Sequence, residues 1–357
     1  MNDTKPFLVT VSGTIPETIA TAIADGVRPR ADYLEMAAAF PAELLDRGKV
    51  TATGTRVGNA VQRVLGANVR MAWRCFREGD AYRAVLTDGE QVGIPLAVLT
   101  KLMPGKRRIR HIMIVHLMSV PKKANLFRWL RLQRQVDGFV TYSSAQSRCL
   151  IDQLGVPAAH VHRTPFMVDT HFFEPTSRSS NERPLICSAG LEFRDYATLI
   201  EAVRDVDVEV VIAAASPWSK RQNLVAGRAL PPNVTTVSLD LDSLRALYAR
   251  STVAVMPLVE NDFQAGVTTL LEAMSMGMPV VCTRTTGQTD VIEDGVTGVY
   301  VPPGDPIAMR TAICGLLADE SRRRDMGERA RQWVIEHADI SVYTQQVRNI
   351  VEGASAG

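Results

Sequence analysis

The stretch Gln264-Ala265-Gly266-Val267-Thr268-Thr269-Leu270-Leu271-Glu272-Ala273-Met274 carries residue types that could hold a phosphorylated ligand. Gly266 stands between an apolar run ending near Pro257 and an amphipathic run. Without a Cβ, its backbone can approach a ligand closely. The amides of Val267 and Thr268 then head a helix, unpaired within it, and such a terminus suits a diphosphate. Glu272 falls about one and a half turns further on. There a carboxylate could accept hydrogen bonds from sugar or ribose hydroxyls. The same pattern also describes a plain capped helix with an exposed glutamate.

These groups need a scaffold, and the pattern around them is strand then helix, repeated. Apolar runs at residues 7–11, 81–86, 109–115 and 138–142 read as strands. Helical stretches follow at 92–102 and, behind Ser143 and Ser144 as N-cap residues, through Leu154. The alternation restarts with strands at 185–189, 209–213, 253–256 and 279–282 and helices at 194–204, 242–250 and 266–276. Residues 173–181 are polar and turn-rich and read as the linker. Strands alternating with helices imply α/β architecture with parallel sheets and crossovers. At 357 residues, two domains are expected. The expected division is 1–172 and 173–340, with 341–357 a terminal helix packing back on the first domain. A ligand cleft would face the carboxyl ends of the strands.

The run from Pro257 to Pro303 resembles the C-terminal signature of the retaining family-4 glycosyltransferases. The matching text is LLEAMSMGMPVV, then TDVIEDGVTGVYVPPGD. Residues 140–154, followed by Thr164-Pro165-Phe166-Met167-Val168-Asp169 through Phe173, are similar to the passage before the family's linker. Residues 188–202 resemble the opening of its second domain. The resemblance covers most of residues 110–335 and is looser before about residue 105. It implies the GT-B fold, two Rossmann-like domains, and a nucleotide-activated sugar donor held mainly by the second.

Carried over by position, Glu272 matches the second acid of the family's Glu-x7-Glu motif, expected to bind the donor's ribose. The backbone of Gly266, Val267, Thr268 and Thr269 is expected to hold the diphosphate. Gln264 stands where the family has its first acid, which keeps hydrogen-bonding capacity toward sugar hydroxyls and loses the charge. The family's Gly-Arg at the start of the second domain is absent from Gly190-Leu191-Glu192-Phe193-Arg194. Arg194, a forked cation suited to phosphate oxygens, is the expected substitute, and Lys220 a second cation candidate. His116 closes the run 109–115, like the family histidine that faces the donor sugar. His111 lies at the other end of that run and is discounted. Gly13, in Ser12-Gly13-Thr14, follows the first strand where the family has a glycine-rich loop. Arg30, Asp32 and Tyr33 open a helix on the expected acceptor side.

Retaining, metal-independent transfer follows from this resemblance, with no protein nucleophile indicated and no cofactor beyond the nucleotide-sugar substrate. Arg194 and the helix start at Gly266 would neutralise the leaving diphosphate, and Gln264 and His116 would orient the sugar. Asp240-Leu241-Asp242 and Asp205-Val206-Asp207 match a metal-binding triplet by composition only. Two competing classes are a nucleotide-sugar epimerase of similar architecture and a non-catalytic nucleotide-sugar binding module, the latter prompted by Gln264.

The whole-chain charge of +2 conceals a division. Residues 1–172 hold 23 Lys+Arg against 14 Asp+Glu, and residues 173–357 hold 17 against 24. From Gln91 to Val136 there are ten cations and no acid. Within that window, Lys122 through Gln135 reads as a basic helix bearing Leu126, Phe127, Trp129, Leu130 and Leu132. It could lie on an anionic membrane surface or guide an anionic, lipid-linked acceptor; it also fits a sheet-packed helix with solvated cations. No nucleic-acid recognition pattern is present. Five widely spaced cysteines without a C-x-x-C fit reduced thiols. With neither a signal segment nor a membrane-spanning run in view, a cytoplasmic location with peripheral membrane contact is expected.

Overall fold

The structure is a computed structural model that describes residues 6–52, 66–103, 109–176, 183–214 and 230–356. Two compact units divide the chain. The first comprises Met1–Thr21, Ala31–Thr164 and Tyr343–Gly357; the second comprises Ala22–Arg30 and Pro165–Val342. Residues 165–172 therefore group with the second unit, and the last helix, Ile340–Ala356, contributes most of its length to the first.

Each unit is built on a six-stranded sheet whose pairings are all parallel. In the first unit these are β1 (Phe7–Thr10), β2 (Ala42–Leu45), β3 (Val85–Asp88), β4 (His111–Val115), β5 (Gly138–Thr141) and β6 (Val161–Arg163), in the order β2-β1-β3-β4-β5-β6. The second holds β7 (Leu185–Ala189), β8 (Glu209–Ala213), β9 (Val234–Val237), β10 (Val253–Met256), β11 (Val280–Thr283) and β12 (Val299–Val301), in the order β12-β11-β10-β7-β8-β9. The strand order reverses between β1 and β3 in the first sheet and between β7 and β10 in the second. At such a reversal the crossovers leave to opposite faces, opening a crevice at the carboxyl ends.

Period-two side-chain placement explains why the second sheet is covered on both faces. Leu185, Cys187, Ala189, Val211, Ala213, Ala254 and Met256 enter one apolar cluster with the helices Val267–Ser275 and Glu320–His337. Ile186, Val210, Ile212, Val253 and Val255 enter the other with Tyr196–Val203 and Pro306–Ala318. Each fully buried aliphatic side chain contributes about 1.5–3 kcal/mol. Such burial on both faces reads in sequence as a continuous apolar run, which is why the central strands are legible.

Four short edge strands, β2, β6, β9 and β12, lack that signature and were not expected from the sequence. The basic segment differs too. A helix covers Pro121–Trp129 only; Arg131 adopts φ 48°, and a 3-10 turn follows at Leu132–Gln135. A non-glycine residue in the left-handed region ends α-helical hydrogen bonding, so the expected single helix from Lys122 to Gln135 is corrected to two pieces. Ser143 does cap its helix, its Oγ accepting from Gln146 N at 3.3 Å.

Candidate functional site

In the second unit, the loops after β7, β10 and β11 meet at the carboxyl edge. The helix Val267–Ser275 starts from Gly266, which has φ 74° and offers no side-chain cap. The helices Tyr196–Val203, Leu241–Arg250, Pro306–Ala318 and Glu320–His337 are each capped by an aspartate side chain. Only the helix behind Gly266, among these, keeps its first amides free of a side-chain acceptor. Thr268 is exposed and Thr269 half-buried, while Val267 turns into the core.

Arg194 reaches this helix start from the loop after β7. A Cβ on Gly266 would stand 2.9 Å from Arg194 Nη1 and Nη2, and one on Gly190, φ 93°, would stand 2.5 Å from Nη2. The guanidinium therefore lies between two glycines because no side chain fits there. Nε donates to Ala189 O and Nη1 to Glu192 O, both at 2.8 Å. The residue is 4% exposed, and burial depresses its pKa. Among the described residues no carboxylate forms an ion pair with it. Phe193, beside it, has φ 56°, a conformation that costs about 1–3 kcal/mol and persists where the surroundings enforce it. Its carbonyl accepts from Val259 N at 3.0 Å and its ring packs on Phe263.

Glu272 is buried within the same helix. Burial raises its carboxyl to about 7, opposed by a 3.0 Å hydrogen bond from Tyr248 Oη and by the Arg194 charge. Gln264 is 4% exposed, and neither end of its side-chain amide has a partner among the described residues. The expected exposure of Glu272 under the plain-helix alternative is thus corrected: the carboxylate faces inward. Asp240, from one metal-like triplet, caps its helix through Ser243 N, and Asp242 pairs with Arg245. Lys220 lies outside the described residues.

The first unit has a second cluster, again where the strand order reverses. Ser12 Oγ, after β1, hydrogen bonds to Asp88 O at 2.8 Å and Asp88 Oδ2 at 3.1 Å. Asp88, ending β3, lies 3.1 Å through Oδ1 from His116 Nε2. Burial works against both charges. The pairing outweighs it, raising the His116 pKa and, with Ser12, lowering that of Asp88. The ring of His116 packs 5.5 Å from Tyr142, whose Oη is 3.0 Å from that of Tyr343. The loop carrying His116 is held by Glu90 Oε1, which accepts from Leu117 N, and by Gln146 Oε1, which accepts from Met118 N at 2.8 Å. Asp32, first in the helix Asp32–Ala39, is raised to about 6 by burial and by the Asp88 charge. Tyr33 follows it, half-buried. A Cβ on Gly13 would meet nothing within 4 Å, so its backbone is open.

Arg30 is placed elsewhere. Its guanidinium and backbone N–H bind both oxygens of Asp169, with distances of 2.8–3.0 Å, within the second unit. His111 is a core residue: 0% exposed, 2.9 Å from Thr87 Oγ1, and pushed down to about 4 by burial. Asp88, Glu90, Tyr142, Tyr248 and Tyr343 escaped the sequence reading. The acid before Gly89 in Thr87-Asp88-Gly89 was a usable signal; the tyrosines, brought in from remote helices and strands, had none.

Residues 186–319 match the family described as glycosyl transferases group 1. The segment from Pro257 to Pro303, which carries the family resemblance, lies inside that match. An MMP alpha-(1->4)-mannosyltransferase of Mycolicibacterium hassiacum is 30% identical over 216 residues, 58% of this chain and 51% of that protein. The chain spans about half the length of the curated relatives it matches. A glycosyltransferase from Rickettsia africae superposes with TM-score 0.72 at 14% identity, covering 99% of each chain. The Anabaena protein HepE, solved in complex with UDP and glucose, gives TM-score 0.68 at 14% identity, covering 98% of this chain and 99% of that one. The fold is GT-B, two Rossmann-like units.

Proposed function

Taking as premise a group 1 glycosyl transferase domain in the second unit of a GT-B fold, we propose that this chain transfers a sugar from a nucleotide-sugar donor to an acceptor with retention of configuration. The observation that carries the reading is Arg194. A guanidinium buried without a carboxylate partner, against the positive end of an uncapped helix, is doubly unfavourable until an anion arrives. A donor diphosphate supplies that anion. Its oxygens would take Arg194 Nη2 and the amides of Val267 and Thr268, and Glu272, steadied by Tyr248, would accept from the ribose.

As the glycosidic bond breaks, negative charge grows on the leaving diphosphate. Arg194 and the helix start are already in place to stabilise it, without reorganisation. Gln264, a neutral amide with both ends unpaired, suits sugar hydroxyls. The sugar-orienting role of His116, the donor-side role of Gly13 and the acceptor-side role of Asp32 and Tyr33 are kept as the family resemblance implies them. The guanidinium of Arg30, engaged by Asp169, is left out of this assignment.

For the acceptor, an anionic or lipid-linked molecule at a membrane surface fits the first unit. Trp129 is 80% exposed at the end of the helix Pro121–Trp129, with Leu126 exposed on the same helix and Lys122, Arg128, Arg131 and Arg134 exposed around them. An exposed tryptophan among cations is the composition of an interfacial anchor on anionic lipid. Among the described residues no helix is long and apolar enough to cross a membrane. Five free cysteines fit a reducing compartment such as the cytoplasm.

Incubation with UDP- and GDP-sugars and a panel of acceptors tests the reading. Free nucleoside diphosphate released together with a glycosylated acceptor supports transfer. A changed sugar still joined to its nucleotide would identify an epimerase instead, and tight donor binding with no product would identify a binding module.

A further inference from the structure

Two loops of the second unit are locked together behind Gln264. Gly287 N donates to Asn261 O at 2.9 Å, and Asn261 Oδ1 accepts from Phe263 N at 3.0 Å. A Cβ on Gly287 would stand 2.3–2.5 Å from Phe263 backbone atoms, so only glycine permits this approach. Thr286 N donates to Glu260 Oε1 at 2.9 Å. At the centre is Gln288, 0% exposed, whose Nε2 donates to Ala265 O at 3.2 Å. Ala265 N donates to Phe263 O at 2.7 Å and closes a tight turn on Gln264, so a hydrogen bond that holds the carbonyl of Ala265 steadies the turn from which the Gln264 side chain projects.

This pairing is not what packing alone would select. Gln288 Oε1 is buried without a partner, as are both ends of Gln264 and the Thr285 hydroxyl, among the described residues. An unpaired buried amide is costly, and an apolar side chain of similar volume would fill the same space without that cost. The one hydrogen bond that this side-chain amide makes among the described residues is from its N–H to Ala265 O.

We propose that Gln288 is a positioning residue for the transferred sugar: by holding the Ala265 carbonyl it sets the direction in which Gln264 meets the sugar hydroxyls. The inference rests on the donor reading above and adds to it a residue outside the motif, on a different loop. The nucleoside diphosphate, held by Arg194, the helix amides and Glu272, does not depend on Gln264. Gln288 therefore acts on affinity for the sugar and leaves affinity for the bare diphosphate alone.

Calorimetry on Gln288→Met, which keeps volume and removes the N–H, reads this directly, using UDP-glucose against UDP and GDP-mannose against GDP. Gln288→Leu, apolar and without any donor, is the second variant should the first fail to fold. The expected result in either variant is about tenfold weaker binding of the nucleotide sugar, the loss of one buried hydrogen bond, with the bare diphosphate within about twofold of the unaltered protein. Equal loss for both ligands would show general disruption of the loop and overturn the proposal, as would unchanged binding of both. Binding of none of the four by the unaltered protein would instead overturn the donor reading beneath it.

Discussion

The guanidinium of Arg194 occupies the space that a side chain on residue 266 would need: a Cβ there would be 2.9 Å from two of its nitrogens and 2.6 Å from Met256 Sδ. A cation is thereby held at a helix N-terminus, where the backbone dipole disfavours it, in a residue 4% exposed. A bound anion would offset that cost.

Replacing Arg194 by Ala is expected to weaken binding of a nucleoside diphosphate about tenfold or more, because a charge-assisted contact is lost. The melting temperature of the apo protein should shift little, since removal of a buried charge offsets the lost hydrogen bonds to Ala189 O and Glu192 O. Arg194→Lys should restore little, for an ammonium lacks the fork that spans Ala189 O, Glu192 O and a ligand. Isothermal calorimetry with UDP and GDP, alongside melting curves, checks both halves; unchanged affinity in Arg194→Ala would remove this residue from the site.

Glu272 is expected to impose a pH dependence on donor binding. With its carboxyl raised to about 7, the group is largely protonated at pH 6 and largely ionised at pH 8. On the proposed assignment the ionised form would accept from the ribose hydroxyls, so nucleoside-diphosphate affinity should rise several-fold between pH 6 and 8. In Glu272→Gln the step contributed by this carboxyl should vanish, leaving only the titration of the phosphate itself. A profile identical in the two proteins would contradict this assignment.

Asp32 makes an opposite kind of prediction, on stability. Its folded carboxyl, near 6, holds its proton above the ordinary aspartate range. Between about pH 4 and 6 the folded state thus binds more protons than the unfolded chain, so this group's contribution falls as pH rises. Asp32→Asn should be neutral near pH 4 and stabilising at pH 7–8, by on the order of 1 kcal/mol. Urea titrations at the two pH values provide the measurement; a variant less stable at pH 8 than the unaltered protein would refute it.

Membrane contact through the first unit predicts that Trp129→Ser lowers flotation with vesicles containing anionic lipid, and that Arg128→Glu with Arg131→Glu abolishes it. The cations should each contribute about 1 kcal/mol near such a surface and lose that contribution as salt is raised. Equal flotation with neutral and anionic vesicles, or none at low salt, would count against the surface.

Much of the second unit was readable from the chain itself. The strands at 185–189, 209–213 and 253–256 agree with the residues observed in β7, β8 and β10, because burial on both faces writes an uninterrupted apolar run. The start of the helix Val267–Ser275 was equally local: a glycine, no side-chain cap and a carboxylate one and a half turns on are properties of consecutive residues. Tertiary structure alone decided what those residues touch. It brought Tyr248 to Glu272 and Gln288 to Ala265, and it buried the Glu272 carboxyl, which pushes its pKa up to about 7. In the first unit it joined Asp88 to His116, and Tyr142 to a tyrosine of the final helix. It also withdrew Arg30 into an ion pair with Asp169, a residue 139 positions away. Local hydrogen bonding and hydrophobic period depend on neighbours in sequence; burial, charge pairing and the pKa shifts they cause depend on neighbours in space, which the chain specifies only once folded.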